Sequence, residues 1–371
     1  MICPNTALAL LGELGVREII HAGGTKSTMG GTLMSDDVVD VMASAAGVFV
    51  PVAELARAAG EYIARIFGAD AAAIVAGAAS GCVLAAKAAR DLHEAEQTIV
   101  RRPEVLTQRR HFGRYTYLYE QAGCHVVEVG TMNDCTLEDY ASAITSDTTS
   151  IAWLEGPGIR SAGVDLATVC SLAKDRGIPV IVDAAAMAFP RSTVRTYLDA
   201  GVDLVVVSGG KMIAGPQASG LVLGRRDLVD LVASQTAPHQ GLGRPHKITK
   251  EVILGLVAAV RRFGERDEEA QLAGYRSQVE ELCLRARAVG LVGSVRHDGV
   301  HHVPSLVFAN ARASFGREPS RVNAAMLARS VRIYVPFDDA SDELWINPIS
   351  LRPGEGEVVL DALLEEAGRS R

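Results

Sequence analysis

No apolar run in this 371-residue chain approaches the roughly 20 residues needed to span a bilayer. Basic charge is short as well: 37 Lys and Arg face 44 Asp and Glu, for a formal net charge of −7. That balance argues against nucleic acid as the main partner, because phosphate binding needs clustered Lys and Arg. A local basic pocket for one small anion stays open. The six cysteines, at 3, 82, 124, 135, 170 and 283, form no C-x-x-C pair. They read as small buried hydrophobes in a reducing compartment, not as a disulfide framework. No Lys or Arg precedes Arg17, so the basic start of a signal peptide is missing. G-x-G-x-x-G and G-x-x-x-x-G-K-[ST] are both absent, which removes the main support for a nucleotide site. The expectation is a soluble, cytoplasmic protein without a membrane or nucleic-acid partner.

What is present is an ordinary globular balance, 48% hydrophobic and 22% charged, in a chain longer than one typical domain. Residues 6–14 read as a short helix. Helical spacing then covers about 35–67, where Val52, Leu55, Ala56, Ala59 and Ile63 recur at steps of three and four. A short strand at 72–75 leads into a long alanine-rich helix ending near Leu92. Apolar runs at 125–129, 150–154, 178–182 and 203–207 alternate with helical stretches such as 165–176, opened by Asp165 and closed by Gly177. Short runs alternating with helices describe a mostly parallel sheet covered on both faces, an α/β domain. After about Arg244 come long helices at 249–263 and 265–288, strand-like pieces at 304–308 and 331–335, and helices at 319–329 and 355–366. The expected division is an N-terminal arm (1–34), a large α/β domain (35–247), and a linking helix with a small α+β domain (248–371).

Three segments carry chemistry. In Ser208-Gly-Gly-Lys211, a lysine follows an apolar strand among glycines, at the sheet edge where α/β proteins bind ligands. It fits an amine that forms a Schiff base with an aldehyde cofactor, or equally a solvated lysine on a tight turn. In Ile178-Pro-Val-Ile-Val-Asp183, a carboxylate ends a buried strand and needs a cation. A protonated pyridine nitrogen would serve; a helix cap or a Mg²⁺ ligand is the commoner reading of such an Asp alone. The 28 residues from Asp183 to Lys211 suit one strand–helix–strand step, which sharpens both. Third, Gly77-Ala78-Ala79-Ser80-Gly81 opens a helix with small residues that offer free N–H groups to a phosphate, or only let helix pack on strand.

In this order the segments resemble fold-type I pyridoxal-phosphate enzymes. Among these, they are similar to the branch of selenocysteine synthase (L-seryl-tRNA(Sec) selenium transferase) and D-glucosaminate-6-phosphate ammonia-lyase. Gly24-Thr25-Lys26 through Gly31, Gln108 through Tyr115, Gly215-Pro-Gln217, Gly243-Arg244-Pro-His246-Lys247 and Ile346-Asn-Pro348 extend the likeness over nearly the whole chain. The resemblance implies pyridoxal 5'-phosphate as cofactor, with Lys211 as Schiff-base lysine and carrier of the Cα proton, and Asp183 against the ring nitrogen. It implies His111 on or beside the ring. Gly77, Ala78, Ala79 and Ser208 would hold the phosphate, with Gln217 reaching in from a second subunit. It further implies that Thr25 and Lys26, in a segment lying over the site, and Glu155, Arg244, His246 or Arg352 meet the substrate. Each has a plainer reading: His111 as a loop histidine, Glu155 as a turn cap, Arg244 as a hinge donor, Arg352 as an exposed arginine. His246 stands where the hinge motif leads us to expect Met. With His239 it is read as a surface residue, acid–base work being the alternative. His297, His301 and His302 are read as an exposed turn, and no metal is expected.

Selenocysteine synthesis is set aside, because the chain is acidic and a tRNA-holding N-terminal module is not expected. The leading expectation is α,β-elimination from a small amino acid or amino sugar acid. The alternative is O2-dependent decarboxylation of an amino acid to a carboxamide, which the branch is associated with in nucleoside-antibiotic pathways. A non-catalytic ligand-binding protein is carried as a third reading. Fold-type I sites usually form between subunits, so a homodimer or larger homo-oligomer is expected.

Overall fold

The structure is a computed structural model that describes residues 4–96, 101–113, 115–156, 162–186, 190–297 and 303–368. It divides into two compact units, Met34–Glu265 and Met1–Leu33 with Arg266–Arg371. The strands run β1 (Ile19–His21), β2 (Ala71–Val75), β3 (Glu104–Gln108), β4 (His125–Val129), β5 (Thr148–Leu154), β6 (Val180–Asp183) and β7 (Leu204–Ser208). They continue as β8 (Gly220–Gly224), β9 (Ser294–His297), β10 (Pro304–Ala309), β11 (Arg332–Tyr334), β12 (Phe337–Asp338) and β13 (Glu343–Ile346).

The larger unit is built on a seven-stranded sheet of order β2-β8-β7-β6-β5-β3-β4. β4, β3, β5, β6 and β7 pair in parallel, and β8 runs antiparallel to both β7 and β2. β6 and β7 are buried at every position, which is why they read as unbroken apolar runs. The α/β expectation holds, with one reversed strand, β8, inside an otherwise parallel order. The helix Gly77–Glu96 lies on this sheet through small residues: Ala85, Ala86, Ala88 and Ala89 are fully buried. A Cβ on Gly81 would come within 2.7 Å of Val206 Cγ1, so glycine sets the helix-to-sheet distance. The helix Leu166–Asp175 starts where expected, Asp165 accepting from the Thr168 amide at 2.9 Å.

Two helical expectations change. The stretch 35–67 is two helices, Asp36–Ala46 and Val52–Phe67, because Pro51 disfavours helical backbone in the residue before it. The helix expected to link the domains, Lys250–Glu265, belongs to the larger unit, where Gly255 makes room for Met42, whose Cγ lies 2.5 Å from an added Cβ. Correspondingly, residues 1–33 cluster with the C-terminal unit, not as a separate arm.

The smaller unit is α+β, as expected. Its antiparallel sheet has the order β12-β13-β10-β9, and β1 pairs in parallel with β11. Leu306, Phe308 and Ile346 pack with Val359, Leu363 and Met326 in its core. Among the described residues, no helix is long and apolar enough to cross a membrane.

Candidate active site

Parallel strands of an open sheet end at one edge, and this edge collects the polar groups. Asp183 closes β6 and is buried, only 6% exposed. Its main chain is held from both sides: Glu155 N–H donates to Asp183 O at 2.9 Å, and Ala184 N–H donates to Val206 O at 2.9 Å. The carboxylate accepts the Ala185 amide at 3.1 Å and a hydrogen bond from the Cys82 thiol, which comes from the helix above. Burial pushes the Asp183 pKa up; the Ala185 amide, the Lys211 charge and the Cys82 thiol pull it back. Burial likewise raises the Tyr119 phenol, with Cys82 and Asp183 adding to the shift.

β7 ends at Ser208, and Lys211 follows three residues later. The intervening turn depends on absent side chains, since a Cβ on Gly210 would lie 2.4 Å from Gln217 Cα. Gly209 N–H donates to Ser219 O at 2.9 Å, Gly215 N–H to Gly209 O at 2.8 Å and Ala214 N–H to Lys211 O at 2.9 Å. Lys211 is half-buried; burial lowers its pKa and the Asp183 charge raises it. Each ion therefore acts on the other across the ends of neighbouring strands.

The third element borders the first two. Gly77 opens its helix at φ +81°, with nothing within 4 Å of an added Cβ. Behind the turn the fit is tight: a Cβ on Gly220 of β8 would meet Gly77 C at 2.5 Å and Ala78 N at 2.7 Å. Ser80 is buried and its Oγ lies 2.9 Å from His246 Nδ1. His246 is therefore half-buried and bonded, which corrects its reading as a surface residue; His239 is exposed as expected. Ser208 is buried, its amide donating to Ala185 O at 3.3 Å.

Across β5 lies a small aromatic group. His111 is buried, not a loop histidine on the surface, and its ring meets Trp153 edge-on with centroids 4.9 Å apart. Burial, then the Arg110 charge, lower its pKa to about 4. Trp153 Nε1 donates to Glu155 Oε1 at 2.7 Å, and burial raises the pKa of Glu155.

Of the other expected residues, Gln217 and Arg244 are exposed. Thr25, Lys26 and Arg352 belong to the smaller unit, where Lys26 Nζ donates to Tyr334 OH and Arg352 pairs with Glu18 at 2.9 Å and Glu355 at 3.6 Å. Arg352 is thus exposed but already committed to two carboxylates. Arg114, His301 and His302 lie outside the described residues, and His297 is exposed. Among the described residues no cluster of three or more His, Cys, Asp or Glu side chains suits a metal. Cys82, Tyr119 and Trp153 were not foreseen, although Cys82 lies four residues after Ala78, on one helix face, and Trp153 two before Glu155, on one strand face.

These residues fit pyridoxal 5'-phosphate. A desolvated carboxylate, a half-buried amine and an open helix N-terminus share one sheet edge, and His111 Nε2 is buried without a hydrogen-bond partner among the described residues. Sheet order and site together define a fold-type I pyridoxal-phosphate architecture. The chain belongs to the L-seryl-tRNA selenium transferase family, whose match spans residues 52–279. It is 30% identical to a Streptomyces 5'-C-glycyluridine monooxygenase-decarboxylase over 381 residues, covering 96% of this chain and 92% of that one. It is 26% identical to a Salmonella typhimurium D-glucosaminate-6-phosphate ammonia lyase, covering 96% and 97%. A solved D-glucosaminate-6-phosphate ammonia-lyase superposes with a TM-score of 0.82 at 24% identity, covering 97% of this chain and 98% of that one, a likeness of fold.

Proposed function

We propose that this chain is a pyridoxal-phosphate-dependent enzyme acting at Cα of a small amino acid or amino sugar acid, by α,β-elimination. The observation that carries this reading is geometric: the buried Asp183 ends β6 opposite Val206 of β7, and Lys211 lies in the turn directly after β7. Lys211 would hold the aldehyde end of the cofactor and Asp183 its ring nitrogen, with His111 beside the ring. Gly77, Ala78, Ala79 and Ser208 would hold the phosphate. When bound, this cofactor withdraws electrons from Cα and weakens the bonds made there. Burial favours the neutral amine of Lys211, the form able to take a proton from Cα. Glu155, which burial makes a readier proton holder, would face the leaving group. The purified protein should show a visible cofactor band, and borohydride should fix the cofactor mass on the peptide carrying Lys211. A Lys211→Ala variant that keeps both would overturn the assignment.

A second reading, O2-dependent decarboxylation to a carboxamide, is favoured by the 30% identity to the Streptomyces enzyme over nearly the full chain. Ammonia and a 2-oxo acid released without air would select elimination; O2 uptake with CO2 release would select oxidation. Retained cofactor with no turnover of any amino acid would instead favour a binding role. We further propose a cytoplasmic homodimer or larger homo-oligomer. The five described cysteines are buried and unpaired, which suits a reducing compartment. Gln217 and the fully exposed Phe49 offer contacts to a second copy, with Gln217 reaching the phosphate of its partner's site. Light scattering that gives a monomer with full activity would refute the oligomer.

A further inference from the structure

His111 sits in a short turn, Arg109–His111, directly after β3. The ladder between β3 and β5 ends at the pair Thr107–Ala152. Past that pair β5 has lost its partner on this side, while on the other it continues along β6, with Leu154 opposite Asp183. Backbone N–H groups alternate in direction along a strand, and Glu155 N–H already serves the β6 side by donating to Asp183 O. The Leu154 N–H therefore faces the gap where β3 stops. His111 fills this gap, its Nδ1 accepting from Leu154 N–H at 3.4 Å.

An amide N–H can only donate, so Nδ1 presents its lone pair and the neutral ring carries its proton on Nε2. Trp153, edge-on at 77°, packs against the ring and limits its rotation. Nε2 is buried and has no hydrogen-bond partner among the described residues. Native proteins rarely leave a buried donor unpaired, and such a group calls for an acceptor. The lowered pKa, about 4, agrees with a ring that stays neutral through the physiological range.

We propose that His111 is a neutral hydrogen-bond donor whose Nε2–H is kept for an anionic oxygen of a bound ligand, and that it does not act as an acid or a base. This rests on the cofactor assignment above and adds which ring atom is used, in which tautomer. The oxygen belongs either to the cofactor ring or to the substrate carboxylate. Both present the same chemistry to an N–H donor.

The test uses holoenzyme labelled with 15N-histidine, in which His111 is identified as the resonance lost in His111→Gln. At pH 6 it should be neutral and protonated at Nε2. Imidazolium, or a proton on Nδ1, overturns the proposal. A second arm compares His111→Phe with His111→Gln. Phenylalanine keeps the packing but removes both polar contacts. Glutamine supplies an oxygen for Leu154 N–H and an N–H for the ligand. His111→Phe should weaken one equilibrium by about ten-fold or more: cofactor retention if the ring oxygen is the acceptor, or the substrate-induced spectral change if the carboxylate is. His111→Gln should restore that equilibrium to within a few-fold. Wild-type affinity for both ligands in His111→Phe overturns the proposal. A sample without any cofactor band sinks the enzymatic assignment instead, and the tautomer measured on that sample still decides the state of His111.

Discussion

Gly220 is the position where a single methyl group should separate cofactor binding from folding. It lies on β8 behind the turn that opens the helix Gly77–Glu96, and the atoms in the way are backbone, Gly77 C at 2.5 Å and Ala78 N at 2.7 Å. Backbone cannot rotate aside as a side chain does. To reach an ordinary contact of 3.4 Å, the turn must recede from the sheet by about 0.9 Å. Overpacking of this kind costs about 1–3 kcal/mol. For a chain of this length that is a fall of about 1–4 °C in Tm, so Gly220→Ala should remain folded. The phosphate would lose more. A displacement of that size breaks a charge-assisted hydrogen bond from the helix N-terminus, worth about 1.5–3 kcal/mol, so cofactor affinity should fall about ten- to a hundred-fold. The assay is spectrophotometric titration of unloaded protein with pyridoxal phosphate, beside a thermal melt of the same sample. Gly274→Ala, with nothing within 4 Å of the added atom, is the control. Wild-type affinity in a folded Gly220→Ala protein would refute the placement of the phosphate at this turn.

Two further outcomes follow from charge burial. The His111 imidazole takes a proton near pH 6.5 in the unfolded chain and near 4 in the folded one, so between these values the unfolded state binds more protons. Its contribution is complete above pH 6.5 and is lost as the pH falls toward 4. At pH 5 the loss is about 2 kcal/mol, or about 2–3 °C in Tm, and His111→Gln should lack that part of the acid sensitivity; equal melting shifts in both proteins count against a buried neutral ring. Asp183→Asn removes a charge that burial disfavours while keeping an acceptor for Ala185 N–H. The unloaded variant should melt no lower than wild type, yet bind the cofactor at least ten-fold more weakly; unchanged affinity would mean that Asp183 does not meet the ring nitrogen.

Much of the frame was legible because it is local. The runs 150–154, 178–182 and 203–207 became β5, β6 and β7 within two residues, since strands buried on both faces have no polar positions to disguise them. Asp183 and Lys211 stood out for the same reason: each is a charge next to such a run. What escaped depends on partners far away in sequence. Glu104–Gln108 becomes a strand by pairing inside the sheet, and its mixed composition does not announce it; Gly220–Gly224 has only three apolar residues between glycines and is fixed by its antiparallel partners on both sides. Arg352 reads in sequence as available for a substrate, but Glu18, 334 positions earlier, pairs with it. His246 looked like surface until Ser80, 166 positions earlier, claimed its ring. Cys82 and Trp153 read as core and are core; their second role shows only once the strand ends are aligned.

The clamp on Asp183 has a consequence for how this scaffold diversifies. Its peptide units are zipped to both neighbours, so the carboxylate could wander only if the middle of the sheet came apart. The residues around it hang from turns and helix ends: His111 past β3, Glu155 past β5, Lys211 past β7, His246 on a long connection. A lineage can exchange that outer ring of side chains, one substitution at a time, without disturbing the anchor beneath. Relatives with a shared frame and different chemistry are what such a division of labour would leave behind.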